Sequence, residues 1–308
     1  MAVKKNSYKM TQAEKEYLSH YDIGKFPRPS VAADIVIFSI LNDGVNNNKR
    51  KLQKKALKVL LIKRAGYPYK DYWALPGGFA IPGEDVAETA RRELYEEANV
   101  QNAYLQLVGV YGKDGRDPRG WIISNAFMAL VDGEKCSLKA GTDAWEADWF
   151  NIEIKVQEVR KEFQEDTSLI ETRYQLLLTN EEKGLSLSAE LKQYKSFRNY
   201  HETIQYEIVQ SEGLAFDHAE IILSAMLSLR SNMENDIRPA FDLMPEMFTL
   251  TQLQNVFELV LGRELLTANF RRKIADYVVE TDSVSEGAGH RPAKLFKRYV
   301  RAFSLPDS

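Results

Sequence analysis

Three glutamates, Glu93, Glu96 and Glu97, stand at positions i, i+3 and i+4 within the stretch Gly78–Val100, GFAIPGEDVAETARRELYEEANV. Helical geometry gathers residues at those spacings onto one face, within a single turn. Turns at Pro76-Gly77-Gly78 and Pro82-Gly83 precede this helix, and Glu84 and Asp85 fall at the positive end of its dipole. Like charges that close repel by roughly 0.2–0.5 kcal/mol per exposed pair. A hard cation converts that repulsion into binding: Mg²⁺ takes oxygen ligands and shares its remaining positions with substrate phosphates. The same carboxylates, balanced by Arg91 and Arg92, also suit a solvated helix face.

The wider spacing separates the two. After Gly78 come five residues and Glu84, then seven more and the run Arg92-Glu93-Leu94-Tyr95-Glu96-Glu97-Ala98-Asn99-Val100. This resembles the Nudix box, glycine, five residues, glutamate, seven residues and R-E-U-x-E-E-x-G-U, where U is aliphatic. One position departs: Asn99 stands where the family has glycine. That glycine ends the helix, and Asn is the next most tolerant residue for a left-handed cap. The resemblance implies that Glu93, Glu96 and Glu97, with the Gly78 carbonyl, hold Mg²⁺, or Mn²⁺ in its place. It also implies that Glu84 and Arg92 brace the loop and helix by ion pairing. One of the three glutamates, or Glu146 in the segment DAWEADWF, would orient or deprotonate the water that attacks a diphosphate. Glu146 suits a solvent-facing role beside Trp145 and Trp149 equally well.

A chain of 308 residues is long enough for two domains and a substantial core. With 44% hydrophobic and 28% charged residues it has a globular composition. A net charge of −3 does not advertise nucleic-acid binding, so any basic surface must be local. The single cysteine, Cys136, excludes an intrachain disulfide and a cysteine-based zinc site. Neither a bilayer-spanning apolar run nor a signal-peptide core is present, so a cytoplasmic protein without a membrane partner is expected.

Read in order, residues 1–30 form a lead-in with a short helix from Thr11 to His20, capped by Thr11 with Glu14. Val31–Leu41 and Ala56–Arg64 read as strands flanking the Asn- and Lys-rich loop 42–55. Tyr104–Tyr111 and Trp121–Val131 are further strands. Between them, Gly112–Gly120 carries Lys113, Arg116, Asp117 and Arg119, either as a phosphate- or ribose-binding turn or as a charged hairpin loop. Residues 31–212 are taken as the first domain, with 152–212 an insertion holding a hairpin (Arg173–Leu178, Leu185–Leu191) and a strand at Tyr206–Val209. Residues 213–235 read as a connecting amphipathic helix, Leu214 to Met233, with Asp217 or a neighbour as cap and His218 in a packing and capping role.

The remaining 236–308 suggest helix-turn-helix: helices at about Thr251–Leu261 and Thr267–Val279, with Thr249 or Thr251 as caps and Gly262 between. A Gly-rich loop, Glu280–Gly289, then leads to a basic strand around Leu295, Phe296 and Tyr299, as in a β-wing. Such patterns also occur in small domains with a merely basic face.

Together with WALPGGF (Trp73–Phe79), GRDPRG (Gly115–Gly120), LAFDHAEI (Leu214–Ile221), FTLTQLQNVFE (Phe248–Glu258), NFRRKI (Asn269–Ile274) and GHRPAKLF (Gly289–Phe296), the chain resembles the NrtR regulators of NAD metabolism, and over the box also the ADP-ribose pyrophosphatases. The resemblance implies an α+β fold: a Nudix α/β/α sandwich with a mixed sheet, followed by a winged helix-turn-helix. It implies a Nudix domain that binds ADP-ribose or a related nucleotide, with Arg64, Arg116, Asp117 and Arg119 contacting it and an aromatic from Tyr67–Trp73 stacking on the base. Asn269, Arg271, Arg272 and Lys273 would enter or flank the DNA major groove, with Arg291 and Lys294 on phosphates. One winged helix offers one half-site, so a homodimer on a double-stranded operator is expected. Two functions compete. One is a Mg²⁺-dependent Nudix hydrolase coupled to a DNA-binding tail. The other is a non-catalytic, ADP-ribose-sensing repressor of NAD-metabolism genes.

Overall fold

The computed structural model describes residues 8–44, 54–101, 103–136, 144–164, 167–198, 201–285 and 292–299. Arg291, His290, Asp143 and most of the loop between the first two strands lie outside the described residues. Helix α1, Gln12–Ser19, begins at Thr11 with the expected capping box to Glu14. The first strands, β1 (Ser30–Asn42) and β2 (Lys55–Arg64), pair antiparallel, and β1 also pairs parallel with β6 (Ile122–Leu130). Short strands β3 (Trp73–Ala74) and β4 (Gly77–Phe79) add to β2 and β1, and β5 (Tyr104–Tyr111) closes one edge against β6.

Residues 144–212 differ from the expected hairpin. They form four long strands: β7 (Ala144–Gln164), β8 (Thr167–Asn180), β9 (Leu185–Arg198) and β10 (His201–Glu212). The resulting mixed sheet runs β10-β9-β8-β7-β2-β1-β6-β5. Charged residues alternate with apolar ones along these strands, so short apolar runs undercount their length. In β8, Thr172, Tyr174, Leu176 and Leu178 turn inward while their neighbours face outward.

Period-two alternation builds two cores from one sheet. Ile35 and Ile37 of β1 pack with Leu60 and Phe127 under helix α2 (Val86–Ala98), which presents Ala90, Leu94 and Ala98. Val36 and Phe38 face the opposite way, toward helix α3 (His218–Asn235). The sheet thus lies between two helical layers. Ala219, Ile221, Ile222, Ala225, Met226 and Leu229 of α3 are all buried, as its apolar stripe requires.

Beyond α3 come α4 (Arg238–Asp242), β11 (Met247–Phe248), α5 (Leu250–Leu261), α6 (Thr267–Ile274), β12 (Val278–Val284) and β13 (Lys294–Arg298). The three strands pair in the order β11-β13-β12, completing a winged helix. Thr249 caps α5 through a capping box with Gln252, and Gly262 ends it at φ 67°. Helix α6 stops at Ile274, short of the expected Val279, because its buried stripe (Phe270, Ile274) ends there and Val278-Val279 join β12. Phe248, Phe257 and Phe270 share one continuous core with α3 and the sheet residues Phe38 and Phe150. Among the described residues no helix is long and apolar enough to cross a membrane.

Candidate functional site

A cleft of about 310 Å³ opens at the β4–α2 junction. Its floor is the Leu75–Phe79 loop, its near wall α2, and its far wall the 116–119 turn and the start of α3. A Cβ at Gly78 would collide with Glu93 Oε1 and lie 2.7 Å from its Cδ, so only glycine lets that carboxylate rest against the loop backbone. Asp85 caps α2 by accepting the Ala87 and Glu88 N–H groups, and Asn99 ends it at φ 54° as the left-handed cap expected there.

Arg92 fastens the loop to the helix. Its Nε donates to Glu84 Oε1 at 3.0 Å and its Nη2 to the Phe79 carbonyl at 3.1 Å. Its Nη1 lies 2.6 Å from Glu93 Oε1 and 3.5 Å from Glu96 Oε2. Glu93 and Glu97 are buried, whereas Glu96 is exposed; all three line the cleft. Burial holds the Glu93 carboxyl above its ordinary range even though Arg92 pulls it down. Glu84, bonded by Arg92, is lowered.

Among the described residues no three His, Cys, Asp or Glu side chains converge as a ready metal cage. Here the Arg92 guanidinium bridges Glu93 and Glu96. The donor set nevertheless fits a hard cation: every donor is a carboxylate or carbonyl oxygen, and glycine leaves room for Glu93 beside the Gly78 backbone.

On the far wall, Arg116 lines the cleft but is tied into the fold. This side chain is 6% exposed, and its Nε and Nη2 donate to Asp217 Oδ2 and Oδ1 at 2.7 and 2.6 Å. Asp34 Oδ2 lies 3.7 Å away. Burial opposes the Arg116 charge, but the Asp217 bonds outweigh it and hold the guanidinium above its usual value. Arg116 is therefore a buried tie between the 116–119 turn and α3. For the same reason Asp217 is the N-cap of α3 by position but makes no side-chain cap bond.

His218 is buried as expected, and it does more than pack: its Nδ1 accepts the Leu75 N–H at 2.8 Å, joining α3 to the loop before Gly77. Burial holds its imidazole below the ordinary pKa, so the neutral ring carries its proton on Nε2, 3.9 Å from Asp34. Asp34 in turn accepts from Ser124 Oγ at 2.5 Å.

Arg119 is held by Asp117, with Nη2 to Oδ2 at 2.7 Å, and its guanidinium lies over Phe79 and Phe216. Burial opposes the Asp117 charge, yet the Arg119 bonds keep its carboxyl low. Arg64 donates to the Pro68 carbonyl and covers Phe216 at 4.9 Å. Of the expected aromatics, Trp73 is spent in the core against Phe150, Tyr67 is 86% exposed, and Tyr69 packs on Phe216.

Glu146 does not reach the cleft. It pairs with Lys183, which also pairs with Asp148 on the same strand. Asp34, Phe79, Ser124 and Phe216 line or support the site without having been singled out. A lone acid in the apolar strand SVAADIVIF was the available signal for Asp34. A larger hollow, about 690 Å³, lies between the end of α2 and the winged helix. Of the charges around it, Lys135 pairs with Asp132 and Arg298 with Asp242, and it holds none of the box acids.

On the winged helix, Phe270 and Ile274 anchor α6, leaving Asn269, Arg271, Arg272 and Lys273 exposed. At about 100° per residue, Ala268 and Arg272 point most directly outward, flanked by Asn269 and Arg271. Lys273 instead turns back, donating to the Glu234 carbonyl of α3 at 3.2 Å and covering Phe257. Lys294 pairs with Glu280 across the wing.

Comparisons with known proteins agree with this architecture. Residues 45–172 match the family described as NUDIX domain, and residues 240–297 match the NrtR DNA-binding winged helix domain. The ADPR responsive transcriptional repressor NtrR of Acinetobacter baylyi is 29% identical over 298 residues, covering 96% of this chain and 90% of that protein. The ADP-ribose pyrophosphatase of Methanocaldococcus jannaschii is 46% identical over 99 residues, 32% of this chain and 57% of that protein. The crystal structure of Shewanella oneidensis NrtR complexed with a 27mer DNA shares the fold, with a TM-score of 0.57 at 24% identity over 87% of this chain and 93% of that one. The chain thus carries a Nudix domain over residues 45–172 and an NrtR-type winged helix domain over residues 240–297.

Proposed function

We propose that the protein is a nucleotide-responsive DNA-binding regulator whose Nudix cleft takes ADP-ribose or a related nucleoside diphosphate. One observation carries this reading: α3 is both a wall of the cleft and a support of the winged helix. At its start, Asp217 and His218 bond to Arg116 and to the Leu75 N–H. Near its end, Arg230 Nε donates to the Val260 carbonyl of α5, and Glu234 accepts from Lys273 of α6. A ligand that shifts the cleft wall therefore acts on the rod that carries the recognition helix. The names of the relatives from Acinetobacter baylyi and Methanocaldococcus jannaschii support ADP-ribose as the ligand.

Hydrolysis is the second reading, favoured by the complete set of box acids. Glu93, Glu96, Glu97 and the Gly78 carbonyl would hold Mg²⁺, which supplies neutralising charge for a bound diphosphate. Arg92 would release Glu93 and Glu96 to it while keeping Glu84 and the Phe79 carbonyl. Glu97, buried and directed to the cleft, is the residue of choice to orient or deprotonate the attacking water. Asp117 and Arg119 would position the sugar and phosphates.

The test follows operator binding by the full chain as ADP-ribose is added, with and without Mg²⁺, alongside turnover by the unsubstituted protein and Glu97→Gln. Loss of DNA affinity on adding ligand supports the regulator; DNA binding indifferent to ADP-ribose and to its products overturns it. Turnover that Glu97→Gln abolishes adds the enzyme; absence of turnover leaves the cleft as a sensor.

A further inference from the structure

Helix α1 is capped at its start by Thr11, yet it buries none of its residues. An isolated helix of eight residues is marginal in water, because its few hydrogen bonds do not offset the entropy of ordering the chain. It needs a surface to lie on. The arm around it is apolar enough to use one: Met10, Tyr17, Leu18, Tyr21, Ile23 and Phe26 are all exposed, Tyr17 by 65%. Tyr17 and Tyr21 stand side by side, with ring centroids 5.9 Å apart.

The long strands β7–β10 have the opposite deficit. Paired residues share one face of a sheet, and faces alternate along each strand. The face that α3 covers carries Tyr174, Leu176 and Leu178 of β8 and Leu187, Ala189 and Leu191 of β9, all buried. Beyond α3 the same face continues as Val156, Val159 and Phe163 of β7, Ile170 of β8, Phe197 of β9 and Ile204 of β10. All but Ile170 are exposed, Phe163 by 73%. Apolar side chains gathered on one open face in this way mark an interaction surface.

The arm of the same chain does not reach this face. It joins β1 at Ser30, and through Lys58 of β2 the β1 residue Ser39 stands level with Asn151 of β7. Counted along the strands at about 3.3 Å per residue, the Phe163–Phe197–Ile204 end of the face lies about 60 Å from the level of Ser30. The link from α1 to Ser30, folded into a tight turn at Ile23–Lys25, spans less than about 35 Å. Helix α1 itself adds only about 12 Å.

We propose that the open face of β7–β10 receives helix α1 of a second copy of this chain, so that two copies exchange arms about a two-fold axis. Two sheets lying side by side in opposite directions put the arm end of each copy beside the open face of the other. The contact is then made twice, and each copy contributes both an arm and a face toward the about 800 Å² per partner that a stable interface buries. Charge agrees with this pairing. Lys161 and Lys195 stand on the open face, Lys195 3.6 Å from Glu202. Helix α1 carries Glu16, Asp22 follows it, and its last turn holds no basic residue, so its negative end suits lysines.

The experiment places the photo-crosslinker p-benzoylphenylalanine at position 17 of the full chain, where the side chain is exposed and its replacement leaves the core intact. Irradiation is expected to give a covalent species of twice the chain mass on a denaturing gel. Mass spectrometry of that species is expected to join the arm to peptides within 156–204. Cross-links confined to one chain, cross-links to other peptides, or none at all overturn the proposal. Sedimentation equilibrium gives a second readout. Phe163→Asp and Leu18→Asp are each expected to weaken the dimer by about 10-fold or more, with unchanged circular dichroism. Leu169→Asp, on the opposite face of β8, is expected to change it less than about 2-fold. A dimer undisturbed by the first two substitutions, equal weakening by all three, or an unsubstituted chain that stays monomeric overturns the proposal.

Discussion

Asn99 occupies a left-handed position at the end of α2, where the resembled motif has glycine. Asn99→Gly is expected to be neutral or slightly stabilising, and Asn99→Ala to cost about 1 kcal/mol, read by thermal unfolding. Both ends of the box were legible in residue identity because caps are local. The ionisation of a buried acid is not. Glu220 on α3 is pushed up to about 7 by burial, reinforced by Asp217. Between pH 4.5, its unfolded value, and about 7, the folded chain holds a proton that the unfolded chain has lost. Stability from this group is therefore fully present below that window and falls as pH rises through it. Glu220→Gln is expected to stabilise the protein at pH 8 by up to about 2 kcal/mol and to have little effect near pH 4.5, as measured by denaturant unfolding at each pH. An equal gain at both pH values would assign the effect to packing instead.

Helix α3 illustrates what an element can and cannot disclose. Its apolar stripe is written in 3.6-residue periodicity, so its existence and buried face were readable. Its first residues looked like a helix cap, yet Asp217 leaves the cap unmade and binds Arg116, a residue one hundred and one positions away. No local rule contains that partner. Breaking a buried pair strands a charge and costs about 3–5 kcal/mol. Asp217→Ala is expected near the lower end, since Asp34 still faces Arg116, with a lower unfolding temperature. If α3 also transmits the ligand signal, Asp217→Asn is expected to keep DNA affinity but reduce its response to ADP-ribose. An undiminished response would remove this end of α3 from the pathway. On α6, Arg271, Arg272 and Lys273 are all exposed, but only Lys273 bonds to α3, a distinction that the basic run NFRRKI conceals.

At the scale of the molecule, a chain with net charge −3 binds DNA only through a local surface. Each phosphate contact contributes about −0.9 to the slope of log K against log salt. Arg271→Ala and Arg272→Ala are each expected to reduce that slope by about 1 if they meet phosphates, and Lys273→Ala to leave it unchanged. A Lys273 effect as large as the others would place that side chain on DNA instead. One core cluster runs from Phe38 through α3 to Phe270, packing the sheet, α3 and the winged helix together.

Sequence by itself determined the features that depend on near neighbours: the spacing of Glu93, Glu96 and Glu97 on one helical face, the glycine against which Glu93 rests, the caps of α1, α2 and α5, and the apolar stripe of α3. These are set by backbone geometry within one or two turns of chain. Tertiary structure alone decided which charges are spent and which are available. Arg116 and Arg119 stand three residues apart in one basic turn, but only Arg116 meets Asp217 and is buried. Glu146 belongs to an acidic, aromatic segment that suggested a site, but strand pairing directs it to Lys183. Phe216 gained its place in the cleft because strand β3 and the lead into α3, far apart in the chain, share hydrogen bonds. Pairings of that kind depend on how the sheet is ordered, and local pattern carries no record of it.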